Sequence, residues 1–151
     1  MDTRKALAVA MYVLLKQLRF LFHLLFQYST VFCCHFFLFL QWRSPEEYHD
    51  DFLNEKVDVF SLGNNMYGLL TGLGVFHEIR NYDEVQYMVG KGVKAWIDQR
   101  YKERSLAEVK LAEIIEKCHE YYEEDRPSIF EVVDFLQRAV EEVHEKMNKT
   151  S

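Results

Sequence analysis

The sequence predicts an all-α fold, and three observations carry that expectation. Apolar residues recur at helical spacing through the C-terminal third,. Serine–glutamate pairs three residues apart, Ser105–Glu108 and Ser128–Glu131, stand in front of two of these stripes as helix-starting capping boxes,. No segment alternates apolar and polar residues with the period of two that a half-buried strand requires,. Ahead of this helical part, the sequence predicts a long apolar N-terminal helix.

At 151 residues and 49% apolar content the chain has material for one packed domain,. Its net charge of −6 argues against a nucleic-acid footprint spread over the surface,. Three cysteines, two of them adjacent, give no disulfide framework,. Composition breaks near residue 41. Residues 1–41 carry a net charge of +3 and seven of the twelve phenylalanines, whereas residues 42–151 carry −9 and all six glycines. We divide the chain into an apolar leader (1–41), a helical unit (42–145) and a tail (146–151).

Within the leader, Phe20 to Leu40 holds no formal charge, and 16 of its 21 positions are apolar or tyrosine. As a helix it would measure about 32 Å, near the ~30 Å of a bilayer core. Three readings fit: a membrane span, a helix that covers an apolar face of the following unit, or a targeting or mistranslated stretch outside the functional fold. A cytoplasmic or membrane-associated location follows from the first two. Cys33, Cys34 and His35 are consecutive, and consecutive helical side chains diverge by about 100°, which disfavours a shared metal,.

Lys56 to Thr71 is apolar on nearly every side, the pattern of a buried central helix,. Gly63 and Gly68 would let neighbours approach closely, and Gly72 would end the helix. A short helix is expected from about Asp83 to Val89, started by Asn81 and Glu84 and ended by Gly90. After Ser105, the stripe Leu111, Ile114, Ile115 and Cys118 predicts a one-sided helix, with Cys118 an inert buried thiol,. After Ser128, the stripe Ile129, Val132, Val133, Leu136, Val140 and Val143 predicts the last helix. His119 and Glu123, at i and i+4, lack the second histidine of a zinc-binding helix, so a solvated acidic helix end is expected there. His49 and His77 are expected at the surface.

Trp42-Arg43-Ser44-Pro45-Glu46-Glu47, then Asp58-Val59-Phe60-Ser61-Leu62-Gly63, and finally Arg126-Pro127-Ser128 occur in that order. Together they resemble the second half of a protein kinase domain, from the A-P-E motif to the domain's end, over about residues 42–140. The wording is nearest the tyrosine-kinase-like branch. The resemblance implies the helical C-terminal part of a kinase large lobe. It implies a buried ion pair between Glu46 and Arg126, and an Asp58 that hydrogen-bonds the catalytic-loop backbone. It also makes Phe60 the bulky aromatic and Gly63 the close-packing glycine of the central helix. Read by itself, Asp58 is equally a helix N-terminal cap. Ser44 replaces the alanine of A-P-E, and Tyr122-Glu123 replaces an Asp-Pro, which puts the turn before the last helix in question.

Phosphoryl transfer in that family requires a glycine-rich loop over the phosphates, a strand lysine and two aspartates. Here no glycine precedes Gly63, and Asp2 is the one aspartate before Glu46. ATP and Mg²⁺ belong to the parent family. For this chain we expect no cofactor, no catalytic or metal-binding residue and no turnover, as in a pseudokinase. A protein partner held through exposed helices, or a membrane met through Phe20–Leu40, is the alternative role.

Overall fold

The computed structural model describes residues 43–49 and 52–149. The covering or membrane-spanning helix expected over 20–40, the Cys33–His35 cluster and Trp42 all lie outside these. The described elements are α1 (Pro45–His49), α2 (Lys56–Thr71), α3 (Tyr82–Gly90), α4 (Tyr101–Arg104), α5 (Leu106–Cys118), a 3₁₀ turn (Glu123–Asp125) and α6 (Ile129–Asn148). No strand occurs among the described residues, and none of their helices is long and apolar enough to cross a membrane.

Local chemistry fixes the helix ends. The Ser105 hydroxyl accepts from the Glu108 amide at 3.3 Å and opens α5. At α6 the box is reciprocal: the Glu131 amide donates to Ser128 Oγ, and the Ser128 amide donates to Glu131 Oε2 at 2.7 Å,. Asn81 caps α3 by accepting from the Asp83 amide at 3.1 Å. Gly72 ends α2 with φ of 74°, a left-handed conformation that lets its amide reach the Gly68 carbonyl at 2.8 Å,. The turn before α6 is intact without the Asp-Pro, because Tyr122–Asp125 closes as a 3₁₀ turn through its own backbone.

α2 packs most extensively against α5, which also holds α4 and α6, while α1 rests on α3. Val59, Met66 and Leu70 of α2 meet a core completed by Leu111, Ile114 and Ile115 of α5 and Val132 and Leu136 of α6. The expected α5 stripe is buried throughout; of the α6 stripe Val132, Leu136 and Val143 are buried, Ile129, Val133 and Val140 are half-buried, and Ala139 joins the core. α2 departs from expectation. Asp58, Leu62, Asn65 and Leu69 fall on one stripe at helical spacing; Leu62 is half-buried, the other three are exposed, and Leu69 is 48% exposed,. The helix is sheathed on one side instead of all round.

The two glycines inside α2 differ. A Cβ on Gly63 would stand 2.7 Å from the His119 ring and 2.9 Å from Cys118 Cβ, so the end of α5 sits directly on the α2 backbone there. A Cβ on Gly68 would meet nothing nearer than a carbonyl at 3.6 Å, so Gly68 is not a close-packing residue, contrary to the sequence reading. Gly63→Ala should destabilise the fold by about 1–3 kcal/mol through overpacking. Gly68→Ala should stabilise it by about 0.5–1 kcal/mol through reduced helix entropy cost. Urea unfolding monitored by circular dichroism would check both signs.

Candidate functional site

The chain before α1 turns inward because Ser44 and Glu47 form a helix start around Pro45. The Ser44 amide donates to Glu47 Oε2 at 2.7 Å, its hydroxyl does so at 3.2 Å, and proline occupies the first helical position, where no amide is needed,. Ser44, Pro45 and Glu46 are buried as a result. The Glu46 carboxylate then faces a guanidinium eighty residues later.

Arg126 is 2% exposed and meets Glu46 in a fork-to-fork pair: Nη2 donates to Oε1 and Nη1 donates to Oε2 at 3.2 Å,. Its remaining donors are also used. Nε donates to the Glu120 carbonyl at 2.6 Å, Nη1 to the Lys56 carbonyl at 3.2 Å and Nη2 to the Tyr121 carbonyl at 2.8 Å. All five N–H groups of the guanidinium are thus satisfied. Lys56 returns the contact, its ammonium donating to the Arg126 carbonyl. The guanidinium carbon lies 5.1 Å from the centre of the Phe60 ring, a cation–π distance,. The site joins α1, the start of α2, the turn after α5 and the entry to α6.

Burial pushes the Glu46 carboxyl up. The hydrogen bonds from Arg126, from its own amide and from Ser44, with the guanidinium charge, outweigh that and hold it below the usual glutamate range,. Its ionised form therefore contributes stability above that range, and the contribution is lost as pH falls through the lowered value.

Of the residues singled out in the sequence, the structure brings Ser44, Pro45, Glu46, Phe60 and Arg126 together, with Gly63 one turn along α2 beneath His119. Asp58 stands apart. It is exposed, and it accepts no hydrogen bond from any described residue. It does not cap α2 either: Asn54 Oδ1 takes the Lys56 amide at 2.8 Å instead. Partial desolvation, unrelieved by any donor, raises the Asp58 carboxyl.

Sequence reasoning missed two features. His119 is 4% exposed and packed on Phe60 with ring centres 5.0 Å apart, so it is buried although the acids that follow it face solvent in part or fully. His49, though exposed, lies with Nε2 3.0 Å from the Gly90 carbonyl, which also accepts from the Tyr121 hydroxyl at 3.2 Å; this ties α1 to the end of α3. Extending the α5 stripe from Ile115 by four residues would have pointed to His119. Cys118 is buried, and burial pushes its thiol up to about 12. Among the described residues no group of His, Cys, Asp and Glu could hold a metal ion.

The sequence matches the family described as protein tyrosine and serine/threonine kinase over residues 34–136. It is 29% identical over 106 residues to serine/threonine-protein kinase STY46 of Arabidopsis thaliana. That match takes in 70% of this chain and 17% of the relative's length.

Glu46→Gln leaves a buried guanidinium without its counter-charge and should cost about 3–5 kcal/mol. Arg126→Lys keeps the charge but offers three donors to five acceptors, so it should rescue little. A double-mutant cycle over Glu46 and Arg126, followed by urea unfolding, would measure the coupling; independent, additive losses would contradict a clasp.

Proposed function

The chain belongs to the protein tyrosine and serine/threonine kinase family, and from that premise we propose that it is the late, helical part of a kinase large lobe, serving as scaffold and performing no phosphoryl transfer of its own. The observation that carries this reading is the Glu46–Arg126 clasp closed around the start of α2. It is a structural device, with the two charges engaged by each other and the remaining guanidinium donors by backbone carbonyls.

Phosphoryl transfer is largely positioning plus neutralisation of developing charge. The 151 residues contain no glycine before Gly63 and, ahead of Glu46, a single aspartate at position 2. They therefore lack both a backbone cradle for phosphates and the paired carboxylates that orient a hydroxyl and hold Mg²⁺. Asp58 supports the same reading. In the family this aspartate meets catalytic-loop amides, and here it has no such donor among the described residues. The parent family's chemistry, ATP-dependent phosphorylation of protein Ser, Thr or Tyr, would then require groups that these residues do not supply.

A second reading, a protein-interaction module, draws support from the surface. Trp96 is 73% exposed and Tyr87 67%, side chains of the type that anchor protein interfaces,. Radiolabelled Mg-ATP with purified chain and a generic protein substrate should give no transfer above background and no thermal shift. Measurable turnover would overturn the scaffold reading. If the chain instead works by docking, Trp96→Ala should weaken its capture of a full-length kinase of the same family at least tenfold without lowering its melting temperature.

A further inference from the structure

His119 takes no part in the clasp, yet it is packed into the same spot. Its ring lies on Phe60, and Phe60 also carries the Arg126 guanidinium. Its Nε2 is buried without a hydrogen-bond partner. On the α2 side the ring is so close to Gly63 that a single methyl there would stand 2.7 Å from Nε2. The ring also lines a cavity of about 10 Å³, bounded by Asn64, Phe76, Val89 and Lys94 among others. That is room for about one water.

A neutral imidazole can leave one nitrogen as a bare acceptor at moderate cost. A protonated ring cannot do so cheaply, because Nε2 would become a charged donor with no protein acceptor beside it, and the cavity offers at most one water,. The charges that face it are also of the wrong sign. Lys94 comes from the loop after α3 and Arg126 from the entry to α6. The nearby carboxylates are already engaged, Glu120 by Lys94 at 2.7 Å and Glu46 by Arg126. From α2 the facing residues are Phe60, Gly63 and Asn64, which carry no charge. The Cys118 thiol, at the end of α5, is kept neutral by burial, and the turn adds the Tyr121 ring.

We propose that His119 makes the clasp acid-labile: taking up a proton forces the imidazole out from between α2 and the 119–126 turn, and Arg126 loses its hold on Glu46. Burial first, then Lys94 and Arg126, lowers the folded-state imidazole from the ordinary 6.5 to about 3. Below 6.5 the unfolded chain binds a proton that the folded chain refuses. Stability is therefore complete above that value and falls below it, approaching about tenfold in the unfolding constant for each further pH unit. Glu46, held low, protonates only further into acid, so the first step belongs to the histidine.

The test is urea unfolding of the full 151-residue chain at pH 7.5, 6.5 and 5.5. The variants are His119→Phe, which keeps an aromatic ring on Phe60, and the exposed-site control His144→Gln. The native chain and the control should lose about fivefold between pH 6.5 and 5.5,, and His119→Phe should lose less than twofold. Amide exchange over 119–126 and α1, corrected for its intrinsic pH dependence, should accelerate over the same interval in the native chain and the control but not in His119→Phe. An unchanged acid loss in His119→Phe would overturn the proposal, as would a native chain stable across the interval. Should His119→Phe fail to fold, nitrogen-15 spectra of the native imidazole decide. A ring that stays neutral while the folded population declines supports the proposal, and one that titrates near 6.5 in the folded protein defeats it.

Discussion

One buried guanidinium organises this molecule. Taking a charge out of water is costly, and Arg126 is tolerated inside because each of its five N–H groups meets an acceptor,. Two acceptors are the Glu46 oxygens, and three are backbone carbonyls from Lys56, Glu120 and Tyr121. Those carbonyls lie at the open start of α2 and just past the end of α5, so satisfying the arginine also fixes where both helices sit. The interaction is conditional in both directions. Without Glu46 the charge is uncompensated, and without the turn at 119–126 the carbonyls are not aimed.

The rod that this clasp closes on is two-faced. Toward α5 it is so tightly met that Gly63 must be glycine, and toward solvent it shows Asp58, Asn65 and Leu69. Such a helix is half of an interior. Asp58, at the head of that solvent face, is raised by partial desolvation and meets no donor among the described residues,.

The legible part of the fold was local. Capping boxes at Ser105 and Ser128, the terminator Gly72 and the stripes of α5 and α6 are encoded within a few residues of where they act, and each is found in place. The pairing of Glu46 with Arg126 was legible only through resemblance to a family, because nothing local to either residue names a partner eighty positions away. The short helices α1 and α4 span too few residues to show a period. Gly68 was misjudged for the same reason that Gly63 was not: both look alike in sequence, and only the position of Cys118 and His119 on the neighbouring helix end separates them. His119 was assigned to solvent from the acids that follow it, whereas its place one turn after Ile115 puts it inside.

A kinase fold and kinase chemistry make different physical demands on a chain. A kinase lobe needs a rigid helical base that holds loops in register, and it needs phosphate-cradling amides and carboxylates placed on those loops. The first requirement is met by hydrophobic burial and one satisfied ion pair, which are properties of residues 43–149. The second is met by groups whose worth lies in being left unpaired until substrate arrives. In the described residues the buried carboxylate and guanidinium are already spent on each other, and Asp58, the exposed acid at the head of α2, has no phosphate cradle ahead of it in the sequence. A clasp whose charges are mutually neutralised serves by holding helices and loops in register, which is the first of these two demands.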